Sequence, residues 1–297
     1  MEKTKLIPMS CDMVFKKMWG DPDNIDRLSA LLSIILGIPY EKLRNRIEII
    51  DSEKKVTNKA EKRQRFDILA KVKLSLLGKV NLEMNIGFDQ TDIDRNTSYI
   101  SHIFSSNIRS GEDYADMETV FQINFNDYDI CKENEDIIDK YYYMNKNFCI
   151  LTEKLQIYHI NIAKCKNIWY NEDIKKYNKL DQQVIRLCTL MTLTDEEEFR
   201  TCIGEIDMDE LVKKDIEEVE QHLSADDEIL AYYGSEEDLR KLELGKIKNA
   251  ERRGIEQGYI EKTMEIARNM LLENIDLDTI SRITKLTKEE INSLSKD

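Results

Sequence analysis

Residues 66–86 alternate apolar and polar side chains twice, on either side of a glycine, and this pattern constrains the fold more than any other. Phe66, Ile68, Ala70, Val72, Leu74 and Leu76 share one parity, while Asp67, Lys71, Lys73 and Ser75 share the other, with Leu69 as the exception. Beyond Leu77-Gly78-Lys79 come Val80, Leu82, Met84 and Ile86, alternating with Asn81, Glu83 and Asn85. Period-two alternation about a Gly-containing turn predicts a β-hairpin with one buried face.

Helices and further strands are expected around it. Met9 to Trp19 reads as a short helix with Ser10 as N-cap, and Asp21-Pro22-Asp23-Asn24 punctuates the chain. Ile25 to Leu36 carries apolar residues at helical spacing, and Ile47 to Ile50 is a brief strand. A long helix is expected over Asp92 to Ser110, ending near Gly111, with strands at Val120–Phe125 and Leu155–Ile162. From Asp173 the chain is mostly charged helix. Glu236 to Met270 is a nearly unbroken helical pattern containing Gly245, Gly254 and Gly258, each costing about 1 kcal/mol relative to Ala. Breaks at Asn274-Ile275-Asp276 and Lys285-Leu286-Thr287 divide the last stretch into short helices of helix-turn-helix size, and Thr287-Lys288-Glu289-Glu290 is a capping-box pattern. The reading is a domain over 1–235 and a helical extension over 236–297.

Composition narrows the function. Apolar residues make up 41% of the 297, enough for a sizeable core rather than a disordered or fibrous chain. The apolar run 28–39 is too short to span a bilayer, and Met1-Glu2-Lys3-Thr4-Lys5 lacks the apolar region of a secretory signal, so a soluble, cytoplasmic protein without a membrane partner is expected. The six cysteines form no C-x-x-C pair and the three histidines no H-x-x-x-H pair, so any metal site must rest on carboxylates, which favours Mg²⁺ or Mn²⁺. The net charge of −14 argues against indiscriminate phosphate binding. One basic strip stands out, Lys54, Lys55, Lys59, Lys62, Arg63 and Arg65, readable either as a DNA-backbone contact or as a solvated loop.

The hairpin also carries the candidate chemistry. Asp67 and Glu83 together could bind a hard dication, which lowers the pKa of a bound water and neutralises charge on a phosphate. The other reading makes Asp67, Glu83 and Asn85 the solvent face of an amphipathic hairpin. An unbulged turn at 77–79 sets Lys73 opposite Glu83 and Lys71 opposite Asn85, leaving Asp67 roughly 13 Å farther along its strand, too far to share an ion. A bend, a bulge or a shifted register is then required.

The runs D-M-V-F-K-K-M-W-G (12–20), F-D-I-L-A (66–70), N-L-E-M-N (81–85), R-N-T-S-Y (95–99), S-G-E-D-Y (110–114) and Q-I-Y-H-I-N-I-A-K (156–164) resemble the PD-(D/E)XK nuclease-family transposases, also called recombination-promoting (Rpn) nucleases. The resemblance covers nearly the whole chain. It implies an α/β fold, a restriction-endonuclease-like core with a mixed central sheet flanked by helices, and metal-dependent hydrolysis of double-stranded DNA. On that mapping Asp67 and Glu83 are metal ligands, the Met84 carbonyl completes the sphere, and Asp12 binds the metal or orients its water. Arg95 and Tyr99 match positions near the cleft. Asn85 stands where the family usually has Gln and the wider superfamily Lys; it cannot stabilise a developing negative charge as an ammonium would. Lys71, placed beside it by the simple register, is the expected substitute. A nuclease fold kept without turnover, as a DNA- or protein-binding module, is the alternative. A homodimer paired through helix 236–270 suits double-strand cleavage.

Overall fold

The computed structural model describes residues 5–50, 66–74, 77–87, 91–108, 111–130, 135–273 and 275–293. The basic strip from Lys54 to Arg65 lies outside the described residues. The chain divides into two compact units, Met1–Ala231 and Tyr232–Asp297.

Burial builds the first unit from its N-terminal end. Helix α1 (Asp12–Trp19) puts Val14, Phe15, Met18 and Trp19 inside; its N-cap is Cys11, with no side-chain cap bond, rather than Ser10. Helix α2 (Ile25–Leu36) closes at Gly37, whose φ of 65° is the left-handed conformation a helix end favours. A short α3 (Tyr40–Leu43) leads to β1 (Ile47–Ile50), and then come β2 (Ile68–Leu74) and β3 (Leu77–Asn85). Helix α4 (Asp92–Ser105) precedes β4 (Val120–Asn126), β5 (Ile138–Met144) and β6 (Ile150–Asn161). Helices α5 (Ile162–Asn171), α6 (Lys179–Leu190), α7 (Glu196–Gly204) and α8 (Glu210–Ser224) complete the unit, and α9 (Asp227–Leu272) begins at its end. Cys11, Cys165, Cys188 and Cys202 are buried and Cys149 is exposed.

The six strands form one mixed sheet in the order β1-β2-β3-β4-β6-β5. The first three pair antiparallel, β3, β4 and β6 run parallel, and β5 returns antiparallel on the edge. This is the expected restriction-endonuclease-like arrangement of a mixed sheet flanked by helices. One face carries the apolar core, with Ile68, Ala70, Val80, Leu82, Ile123 and Phe125 buried, and Phe125 meets Phe15 of α1 at 5.8 Å between ring centres. The other face packs α4, whose Ile100 and Ile103 join Phe66, Leu69 and Val120 in one cluster.

The hairpin register corrects the expectation drawn from its glycine. Ile68 pairs with Leu82, Ala70 with Val80 and Lys71 with Lys79, so Leu77, Gly78 and Lys79 belong to β3 rather than to a turn. A shift in pairing follows between Lys71 and Leu74. Gly78 serves close approach rather than a turn: a Cβ there would meet Glu118 Cβ at 2.4 Å and the Thr119 carbonyl oxygen at 2.6 Å. Asp67, just ahead of Ile68, therefore lies across from Glu83, which follows Leu82.

The solvent-face reading of the hairpin also fails. Asn81, Glu83 and Asn85 are 0, 4 and 4% exposed, and their neighbours Gln122, Asn124 and Asn126 on β4 are equally buried. The alternation is real, but its polar side is covered.

In the second unit, α9 carries Gly254 and Gly258, and α10 (Leu277–Thr284) and α11 (Lys288–Ser293) follow. Ala267, Ile280 and Ile291 form its small core, with Leu277 and Leu286 packed against them. The chain breaks at Lys285, φ 63°, and the capping box is present: Thr287 N–H donates to Glu290 Oε2 at 2.7 Å and Glu290 N–H to Thr287 Oγ1 at 3.2 Å. Among the described residues no helix is long and apolar enough to cross a membrane.

Candidate active site

Two carboxylates meet where β2 begins and β3 ends. The Met84 N–H donates to Asp67 Oδ2 at 2.9 Å, and the Asp67 N–H lies 3.4 Å from Glu83 Oε1. The same Glu83 oxygen accepts from Asn81 Nδ2 at 2.9 Å. Tyr99 of α4 sets its ring edge-on to Phe66, 5.0 Å between centres, and so steadies the residue before Asp67.

Electrostatics mark the pair as short of positive charge. Burial and then the Asp67 charge push the Glu83 carboxyl up to about 8. Burial also raises Asp67, against the pull of Lys16. A buried carboxylate pair raised in this way is the arrangement that an added cation relieves most.

The ammonium at this site is Lys16, which is not among the residues the sequence singles out. Its Nζ lies 3.1 Å from Asp67 Oδ1 and 2.7 Å from Asp12 Oδ1, bridging α1 to the hairpin. Burial works against its charge, but Asp67 and Asp12 outweigh that and hold it above the ordinary lysine value. Asp12 is thus engaged by Lys16. Among the described residues no three Asp, Glu, His or Cys side chains gather into a group able to hold an ion by themselves, so Asp12 does not complete a three-carboxylate cage.

Lys71 is not at the site. It pairs across the sheet with Lys79, four residues along β2 from Asp67, and its Nζ is 2.7 Å from Glu118 Oε1. Its expected role depends on a register the chain does not adopt.

Asn85 sits in a separate polar row. Its Oδ1 accepts from Arg95 Nη2 at 2.8 Å, and its Nδ2 donates to Asn126 Oδ1 at 3.0 Å. Asn126 Nδ2 is 3.0 Å from His159 Nδ1. Burial lowers His159 to about 4, which keeps the ring neutral and able to accept there. Arg95 also pairs with Asp92 at 2.8 Å, and Asp92 accepts from the Tyr128 hydroxyl at 2.6 Å.

A family model described as PD-(D/E)XK nuclease family transposase matches residues 9–241, which include every residue of this site. The chain belongs to that family. A second model, the C-terminal HTH domain of the Rpn/YhgA-like nuclease family, matches residues 261–296, the stretch that holds α10 and α11. No curated protein and no solved structure matches the chain. Asp67 and Glu83 are brought together across β2 and β3, whereas Asn85 is committed to Arg95.

The donor set fits a hard dication. Two buried carboxylates raised by burial, with a single ammonium beside Asp67 and only oxygen donors, suit Mg²⁺ or Mn²⁺, which commonly bind through one or two carboxylates plus substrate phosphate and water. Asp67 and Glu83 are the residues that would hold it.

Proposed function

We propose that this chain is a metal-dependent endonuclease that hydrolyses phosphodiester bonds of double-stranded DNA, with Mg²⁺ or Mn²⁺ as cofactor. The meeting of Asp67 and Glu83 across the hairpin carries the reading. When bound, the ion supplies an acidified water and neutralises charge on the scissile phosphate. The chain's own groups then have distinct tasks. Met84 N–H and Asn81 Nδ2 fix one oxygen of each carboxylate, which lowers the reorganisation needed to present the others. Asp12 holds Lys16 so that its ammonium stands beside Asp67, where it offsets negative charge as the phosphate approaches. The helical tail of the HTH family offers a second DNA contact.

The test is plasmid cleavage with Mg²⁺ or Mn²⁺. The natural chain is expected to nick or linearise the plasmid, and Asp67→Ala to fall to background. Equal background from both would sink the hydrolytic reading. It would leave the second one, a nuclease fold acting as a binding module, which the commitment of Asn85 to Arg95 favours.

A companion pair separates the two lysines. Lys16→Met is expected to slow single-turnover cleavage by about 10²-fold, the scale of losing one well-placed electrostatic donor. Lys71→Met, remote and paired with Glu118, is expected to stay within about twofold, as surface substitutions do.

A further inference from the structure

Asn85 breaks the family pattern, and its surroundings say what it does instead. It is 4% exposed, and both ends of its amide are used: Nδ2 donates to Asn126 Oδ1 and Oδ1 accepts from Arg95 Nη2. The direction of this chain is set by the guanidinium, which only donates. Asn85 must therefore turn Oδ1 toward Arg95 and Nδ2 toward Asn126 Oδ1, and Asn126 then presents Nδ2 to His159 Nδ1, which accepts in the matching tautomer. Three buried groups on three adjacent strands thereby aim one acceptor at Arg95.

Arg95 itself is only partly spent. Nη2 serves Asn85 and Asp92, while Nη1 and Nε have no hydrogen-bond acceptor among the described residues, and the side chain is 41% exposed. It is close enough to Glu83 to pull that carboxyl's pKa downward. A planar guanidinium with one edge anchored and the other edge open, beside a carboxylate pair, matches the two-pronged geometry of a phosphate.

We propose that Arg95 grips a DNA backbone phosphate at this site, and that Asn85 is the positioning residue that holds it, through Asn126 and His159. The inference rests on DNA being the substrate, as in the nuclease reading. The positive charge that the wider superfamily places on the strand is here delivered from α4, and the strand residue has become its support. A lysine at position 85 would be a second cation against Arg95 and, having no acceptor, could serve Asn126 Oδ1 but would leave the guanidinium without the oxygen that holds it.

The experiment measures binding of the full chain to a fluorescent duplex of about 20 base pairs in EDTA, over a range of salt. Arg95→Gln is expected to weaken binding about tenfold and to reduce the slope of log K against log salt by about one, the loss of one phosphate contact. Arg95→Lys, which keeps the charge but not the fork, should fall between. Asn85→Leu is expected to match Arg95→Gln, and the double variant to be no weaker than either single one, because one loss already includes the other. Unchanged affinity and slope in Arg95→Gln, or additive losses in the double variant, would overturn the proposal. Arg95→Gln alone decides the matter if Asn85→Leu melts at the assay temperature. Metal-free affinity is independent of turnover: Asp67→Ala cleaving like the natural chain would fail the nuclease reading and leave this result standing. Absence of any DNA binding by the natural chain would overturn both.

Discussion

Glu83→Gln is expected to abolish cleavage and, at pH 8, to make the protein more stable. The carboxyl titrates near 4.5 in an unfolded chain and is raised to about 8 in the fold by burial and by Asp67. Between those values the native state holds a proton that the unfolded state has released. Stability linked to this group is therefore complete below pH 4.5 and declines as pH rises to about 8. A tenfold difference in proton affinity between the two states is worth about 1.4 kcal/mol. Asp67 shares the charge and takes part of the effect, so the cost left to Glu83 by pH 8 is on the order of 2–4 kcal/mol. Glutamine keeps the acceptor for Asn81 Nδ2 and has no charge to desolvate. Melting temperatures of the two proteins, taken without metal, should nearly coincide at pH 4.5. They should separate by about 5 °C or more at pH 8, given roughly 2–4 °C per kcal/mol for a domain of this size. Cleavage by Glu83→Gln should fall by about 10³-fold or more, since a ligand worth several kcal/mol of charge stabilisation has gone. A constant gap across pH would mean that Glu83 is not held protonated by the fold.

Much of this architecture is written in local patterns, and the failures have identifiable causes. The apolar parity of 66–86 announces the hairpin because Phe66, Ile68, Ala70, Val72, Val80 and Leu82 on that side are buried. Its register is not legible, because glycine signals both a turn and a close approach, and only the nearness of Glu118 and Thr119 shows which applies at Gly78. Alternation does not tell a wet face from one roofed by a helix, so the buried row Asn81–Glu83–Asn85 is indistinguishable from solvent polarity. Strand β5 has no pattern to read: as an edge strand it leaves Tyr141, Tyr143 and Met144 exposed. Lys16 does have a signal. It stands four residues after Asp12, itself a candidate acid, and that helical spacing places the two side chains together. The contact to Asp67, from 51 residues farther along, has no such local mark.

Arg27→Ala is expected to cost about 3 kcal/mol, and the site should suffer with the fold. Arg27 is 2% exposed on α2, and all three of its nitrogens are satisfied. Nε donates to the Met18 carbonyl at the end of α1 at 2.7 Å, Nη1 to Asp215 of α8 at 2.6 Å, and Nη2 to Asp21 at 2.8 Å. Breaking a buried charged network from one side commonly costs 3–5 kcal/mol, because the partners are left behind. Here Asp21 and Asp215 are about one-third exposed, so water can recover part of their loss, which places the effect at the lower end. The expected fall in melting temperature is roughly 6–12 °C. Arg27→Met, which keeps most of the stem volume and removes the charge, should lose distinctly less than the alanine variant. The two variants also separate fold from function. The Met18 carbonyl is tied down by Arg27, and Met18 shares α1 with Asp12 and Lys16, so loosening that end of the helix also loosens the ammonium beside Asp67. Both variants lose the bond to Met18 and leave Asp21 and Asp215 behind, so both should slow cleavage at a temperature where each is fully folded, although the alanine variant, which also empties the volume of the stem, is the more destabilised. If Arg27→Met cleaves at the natural rate, α1 holds Lys16 in place without this anchor, and the link from the buried arginine to the site fails.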